Sequence, residues 1–191
     1  MTDHEPLSAE PMVPADPDPW YVRIDDVPGG ATTATTWAKA HGYLQESTAT
    51  YWLATVRPNG TPHVMPVMAV WVDGRLFFSA GERTRKARNL AHDSRCVVTV
   101  EEEPVDLVVE GDASIVRDDA TLARVADAYA SIYGWQVTVR QGAFHAAGGA
   151  PTAGPPPYDV YEVTPAVAFG LPVGEGLVPT RWRFREPSTG G

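Results

Sequence analysis

The sequence predicts a mainly β fold, a β-barrel with peripheral helices. Three features carry this: apolar runs rich in β-branched and aromatic residues, legible turn signals between them, and few segments of helical period. About six antiparallel strands are expected. A length of 191 residues suits one domain with tails, since domains cluster at about 100–150 residues.

The first 30 residues carry prolines at 6, 11, 14, 17, 19 and 28 and few aliphatics, so they are expected to form a disordered or loosely docked tail. Trp20 and Tyr21 are its candidate local anchors. The domain then runs over 31–185, with a short tail at 186–191. From Thr33 to Gln45, Trp37, Ala40, His41 and Leu44 share one helix face, against a background of helix-weakening threonines.

Tyr51 to Arg57 reads as a strand, and Pro58-Asn59-Gly60 as a tight turn returning His63 to Val72 antiparallel. Asp73-Gly74 repeats the device and feeds Arg75 to Ala80. These strands are too continuously apolar to leave a face fully wet, as in a barrel. Thr84 to His92 is a short helix, Cys96 to Val100 resumes the sheet, and Asp106 to Val116 is a further strand. Asp118 caps a helix over 120–133 whose stripe of Leu122, Val125, Ala126, Tyr129, Ile132 and Tyr133 is core packing. Residues 142–157 hold four glycines and four prolines and read as a mobile surface loop. Tyr158 to Thr164 and Val167 to Leu171 close the sheet, and Thr180 to Phe184 ends the ordered part.

The net charge of −9 opposes phosphate backbones and argues against a nucleic-acid partner. No run approaches the ~20 apolar residues of a membrane span, and the acidic, proline-rich start is unlike a signal peptide. The single cysteine, Cys96, excludes an internal disulfide framework and fits a reducing cytoplasm. The five histidines show no ligand spacing on one element, so no metal is expected. Glu101-Glu102-Glu103 reads as a solvated acidic turn, and Gly174-Glu175-Gly176 lacks the context of a dinucleotide fingerprint.

The segment from Phe77 to Leu90 is the most informative. A buried strand ends in Ser79 and leads through a turn into a helix start carrying Thr84, Arg85 and Lys86. Cations at a helix N-terminus cost stability unless an anion offsets them, while the free N–H groups there favour one. A solvated basic face paired to nearby acids is the competing reading. The hydroxyls at 79 and 84 favour a phosphate cradle, with Arg85 a forked donor and Lys86 a point charge.

Phe78-Ser79 followed by Thr84-Arg85-Lys86 resembles the aromatic-hydroxyl and Ser-Arg-Lys signature of the pyridoxamine 5'-phosphate oxidase-like flavoproteins, over about residues 45–184. The Arg88-Asn89-Leu90 segment is similar to their flavin or deazaflavin (F420) branch. The resemblance implies an FMN-binding split barrel and a homodimer, with FMN as cofactor and coenzyme F420 as alternative. It gives Ser79, Thr84, Arg85 and Lys86 the cofactor phosphate. His63 to Met68 falls on the family's ring-contacting strand, with His63 and Met68 where that strand has arginine and lysine, so the backbone of Met65, Pro66, Val67 and Met68 carries over. Asp106 falls near a glutamine offered by the partner subunit, and Arg183 near a late flavin-contacting arginine. Pro179 and Arg181 replace the family's Arg-x-His substrate pair, which argues against vitamin B6 oxidation. The expected function is therefore hydride transfer between FMN or deazaflavin and an unidentified small substrate. The alternative is non-catalytic binding of flavin, haem or tetrapyrrole. Trp52, Trp71 and Trp182 are candidates either for edging the pocket or for the core.

Overall fold

The computed structural model describes residues 5–12, 34–45, 47–150, 154–172 and 178–184. Their strands are β1 (Ser8–Pro11), β2 (Tyr51–Val56), β3 (Pro62–Val67), β4 (Ala69–Val72), β5 (Arg75–Gly81), β6 (Arg95–Val100), β7 (Val105–Ile115), β8 (Thr138–Arg140), β9 (Ala143–His145), β10 (Tyr158–Pro172) and β11 (Thr180–Arg183). The helices are α1 (Trp37–Gly42), α2 (Arg85–His92) and α3 (Asp119–Tyr133). All strand pairs are antiparallel, in the order β1-β11-β10-β7-β6-β2-β3, with β5 joining β10 and β4 joining β5. β3 and β4 are separated only by Met68, so the ladder runs round a split barrel.

The expected strand from His63 to Val72 is thus broken at Met68. The break is fixed from outside the barrel: Tyr129 of α3 donates its hydroxyl to the Met68 carbonyl (2.8 Å), and Tyr133 donates to that of Ala69 (2.8 Å). Asp73 and Gly74 both take positive φ (52° and 74°), as the primed two-residue turn requires. In the earlier hairpin only Gly60 does (φ 82°), and the loop spans Arg57 to Thr61 with Asn59 Oδ1 accepting from the Thr61 amide (3.1 Å).

Two clusters divide the apolar residues. One fills the barrel with Leu53, Phe78, Val98, Leu107, Ala168 and Trp182. The other lies between the outer face of β4, β5 and β10 and the α3 stripe, where Leu122, Val125 and Tyr129 are fully buried. Trp71 and Trp182 belong to the barrel core, and Trp52 alone of the three tryptophans is exposed.

Several elements differ from expectation. α1 is shorter, because Thr36 is its N-cap and the Thr35 amide is held by Thr180 Oγ1 (3.0 Å). Ser8–Pro11, within the stretch read as tail, pairs with β11. Trp20, Tyr21 and residues 186–191 lie outside the described residues. β10 is one strand with an irregularity between Pro165 and Val167, where the prolyl nitrogen has no N–H to donate. Facing it, a Cβ on Gly111 would stand 2.2 Å from the Thr164 carbonyl oxygen, so only glycine fits. The Gly/Pro segment read as a loop contains β9, which pairs with β8 and touches β10 at Tyr158. Tyr158 and Trp135 also donate to the carbonyls of Gly154 (2.6 Å) and Gly149 (3.2 Å).

Candidate cofactor-binding site

β5 ends at Gly81, a tight turn follows, and Thr84 caps α2, its Oγ1 accepting from the Ala87 amide (3.3 Å). The Thr84 hydroxyl oxygen is therefore engaged, while its hydrogen can still be given to a ligand. The amides of Arg85 and Lys86, at the first two helical positions, have no carbonyl to meet within the helix. No acid stands in this first turn. α2 is tied to the barrel by Asn89, buried, whose Nδ2 donates to Thr55 Oγ1 of β2 (2.9 Å), and Thr55 in turn donates to the His63 carbonyl of β3 (3.4 Å). The helix start and the strand beside it are thus linked through one side-chain relay.

Between them lies a cavity of about 540 Å³ lined by His63, Met65, the turn and helix start from Gly81 to Lys86, and Gly154 to Pro157. A second cavity, about 370 Å³, is lined by Thr48 to Thr50, Pro66 to Met68, Ser79, Tyr133, Ala150 and Tyr158, and again by Lys86. Both volumes lie in the range of small-molecule sites. Lys86 stands at the junction, so the pair forms a cationic end opening into a more apolar slot.

Arg57, His63, Arg85 and Lys86 act together on this end. None of the four pairs with a carboxylate among the described residues. Burial pulls the Lys86 ammonium below its ordinary range. Partial burial, then the charges of Arg57, Arg85 and Lys86, hold the His63 imidazole below its own. Unneutralised like charges at a helix N-terminus are unfavourable by themselves, which is the arrangement expected of a site built for an anion.

Of the residues read from sequence, Met65, Pro66, Val67, Met68, Ser79, Thr84, Arg85 and Lys86 border these two joined cavities. Asp106 and Arg183 do not. Asp106 accepts from the Glu102 amide (3.1 Å) and lines an acidic hollow with Thr50, Trp52 and Glu101 to Glu103. Arg183 lies on β11, 3.9 Å from Glu10. His63, Tyr133, Tyr158 and the stretch from Thr48 to Thr50 were not read as site residues. Only His63 carried a signal, its position on the strand beside the cradle.

The sequence model of the family described as Pyridoxamine 5'-phosphate oxidase matches residues 38–171. The chain belongs to this family. Its fold is shared by solved structures of low sequence identity. General Stress Protein 26 from Bacillus anthracis str. Sterne superposes with a TM-score of 0.51 at 17% identity, covering 71% of this chain and 92% of that one. A heme binding protein from Mycobacterium smegmatis gives 0.55 at 19%, covering 78% and 58%. A FAD-binding protein from Mesorhizobium loti gives 0.51 at 16%, covering 78% and 95%. No curated protein sequence matches significantly. At these identities the likeness concerns the fold, and the heme and FAD belong to those proteins.

The donor set of the oxidase-family site fits a phosphorylated flavin. The cationic end offers donors unpaired with carboxylates among the described residues, and β3, which among the described strands pairs only β2, leaves its other edge open, with Pro66 to Met68 lining the slot. No described helix is long and apolar enough to cross a membrane.

Proposed function

We propose that this member of the oxidase family is a flavin-dependent oxidoreductase that binds FMN and exchanges hydride with a small substrate. The observation that carries the reading is the cluster of His63, Arg85 and Lys86, with the charge of Arg57 acting on it and none of the four paired with a carboxylate among the described residues, in a cavity that meets at Lys86 a slot walled by Pro66 to Met68 and Ser79. Arg85, Lys86 and the first amides of α2 hold the phosphate, with Thr84 and Ser79 as hydroxyl donors. The open edge of β3 orients the ring through backbone N–H and C=O groups, and Pro66 supplies only the carbonyl. Tyr133 and Tyr158 wall the slot with hydroxyls already committed to the carbonyls of Ala69 and Gly154, so the lining there is effectively apolar. The bound flavin would supply the hydride chemistry, and the protein the orientation and the exclusion of water.

A homodimer completes this reading. The outward face of the sheet carries two adjacent cross-strand rows, Val64-Ala54-Val97-Glu110 and Pro66-Trp52-Thr99-Val108-Phe169, with Trp52 47% and Val64 52% exposed. A largely apolar face of this kind, with Glu110 at one end, fits a second copy of the chain. Asp106 and Arg183, remote from the cradle within one chain, are assigned to the cofactor across that interface. The one buried cysteine accords with a reducing, cytoplasmic setting.

Coenzyme F420 is the second reading, favoured by a groove of about 960 Å³ that shares Glu82, Arg83 and Pro157 with the phosphate cavity and adds Arg88 and Arg117. Arg83 and Arg88 suit a longer polyanionic tail, while Arg117 is already paired with Asp159 (2.7 Å). Non-catalytic binding of flavin, haem or tetrapyrrole is separated from catalysis by asking whether NADPH or an external deazaflavin donor reduces the bound cofactor. The first test is the absorption spectrum and mass of the small molecule that co-purifies. A flavin or deazaflavin supports the proposal, and haem or failure to take up either cofactor at micromolar concentration contradicts it.

A further inference from the structure

Among the cations of the phosphate cavity, His63 is the one whose charge can change near neutral pH. It lies on β3, its ring bordering the same cavity as Thr84, Arg85 and Lys86. Its Nδ1 is closed off from solvent and finds no partner. Its cross-strand neighbour Thr55 uses its hydroxyl on the His63 carbonyl and on Asn89, leaving the ring itself unengaged there. The imidazole thus borders a cavity rich in cations without being held by any hydrogen bond of its own at Nδ1.

The charged groups around it come from three directions. Arg57 faces it from the end of β2, Arg85 and Lys86 from the start of α2, and Glu82 borders the cavity from the turn before that helix. Gly154 to Pro157, on the remaining side, bring no titratable group. With the cavity free of an anion, three neighbouring cations oppose a fourth. A phosphate dianion among them reverses the sign of the local field and favours the imidazolium over the neutral ring.

We propose that His63 is a phosphate ligand of the cradle that takes up a proton from water as the anion binds, coupling cofactor affinity to pH. The inference rests on the cradle reading above. Between the His63 ionisation of the free protein and that of the complex, affinity rises as pH falls. The binding step is imidazole plus one solvent proton giving imidazolium beside the phosphate, with no other bond made or broken. In free FMN the second phosphate ionisation lies near pH 6, so at pH 7.5 the ligand is already a dianion and proton uptake reports the protein.

The test is titration calorimetry of the full chain with FMN at pH 7.5 in two buffers of different ionisation enthalpy, repeated for His63→Gln, His63→Arg and Lys86→Ala. Proton-detected NMR of the imidazole follows His63 directly, with riboflavin as the phosphate-free probe. Expected for the wild type are net proton uptake of about half a proton and a His63 ionisation raised by about one unit or more by FMN and not by riboflavin. His63→Gln should bind about tenfold more weakly without uptake, and His63→Arg should restore affinity, also without uptake. If FMN binds in a Lys86-dependent way but His63 neither shifts nor takes up a proton, the His63 assignment is overturned and the cradle stands. If Lys86→Ala binds FMN as the wild type does, the cradle itself is wrong and the coupling goes with it.

Discussion

Gly170 is a small position on which the barrel core depends, and Gly170→Ala should be costly for a single added methyl. A Cβ there would lie 2.5 Å from Trp182 Cη2, 2.8 Å from Cζ3 and 3.2 Å from Val105 Cγ2. Ordinary carbon contacts are about 3.5–4.0 Å, so the indole has to retreat by about 1 Å. It has little room to do so. Trp182 is fully buried, its ring stands 5.3 Å from that of Trp37, and its Nε1 donates to the Thr35 carbonyl at 2.8 Å. Overpacking of this kind costs about 1–3 kcal/mol, and misaligning the indole hydrogen bond adds about 1. The sum, about 2–4 kcal/mol, corresponds to a fall in Tm of about 4–16 °C for a chain of this size. Urea unfolding followed by tryptophan fluorescence measures the change in midpoint, and the double variant with Trp182→Phe should lose less than the sum of the single losses because the ring edge is removed. A Gly170→Ala protein within 0.5 kcal/mol of wild type, or strictly additive losses, would refute the packing argument.

Other expectations follow from single contacts. Thr84→Ala removes the N-cap of α2 and should cost about 1 kcal/mol of stability while weakening FMN binding, read by urea unfolding and fluorescence titration on the same protein. Cys96 is buried, with its thiol pushed up to about 12, and should resist thiol reagents at pH 8 until the chain is unfolded. Because the folded thiol ionises above the unfolded one, its contribution is fully present below about pH 9 and is lost as pH rises from there toward 12; Cys96→Ala should remove that part of the alkaline decline. Trp52→Glu places a charge on the apolar face and should convert a dimer to monomer in sedimentation velocity, with loss of any contribution from Asp106 and Arg183 to the cofactor.

The meander from Tyr51 to Gly81 and the cap of α3 were legible because they rest on local chemistry. Asp73-Gly74 takes the positive φ angles its composition permits, and Asp118 accepts from the Thr121 amide as an N-cap does. That Ser79 and Thr84 to Lys86 border joined cavities could be read for the same reason, since they lie within one short segment. The break at Met68 was not, because it is made by Tyr129 and Tyr133 from a helix more than fifty residues away. β1 was hidden by its composition: Ser8 to Pro11 is held by its register with β11 and by the Glu10 ion pair with Arg181 (3.2 Å). Likewise nothing local in Thr48 to Thr50 marks it as a wall of the slot, a role conferred by its position opposite β3 and Tyr158. The placement of Asp106 followed resemblance alone, and within one chain it stands in an acidic hollow beyond Thr50.

The most direct measurement of the central claim, that the cluster at the start of α2 is a phosphate site, is the affinity of apoprotein for FMN and for riboflavin, in wild type and in Lys86→Ala. The account predicts that the wild type prefers FMN by about ten- to a hundredfold, the worth of one or two charge-assisted hydrogen bonds, and that Lys86→Ala loses most of this preference while its affinity for riboflavin is little changed. Equal affinity of the wild type for the two flavins, or an undiminished preference in Lys86→Ala, would contradict it.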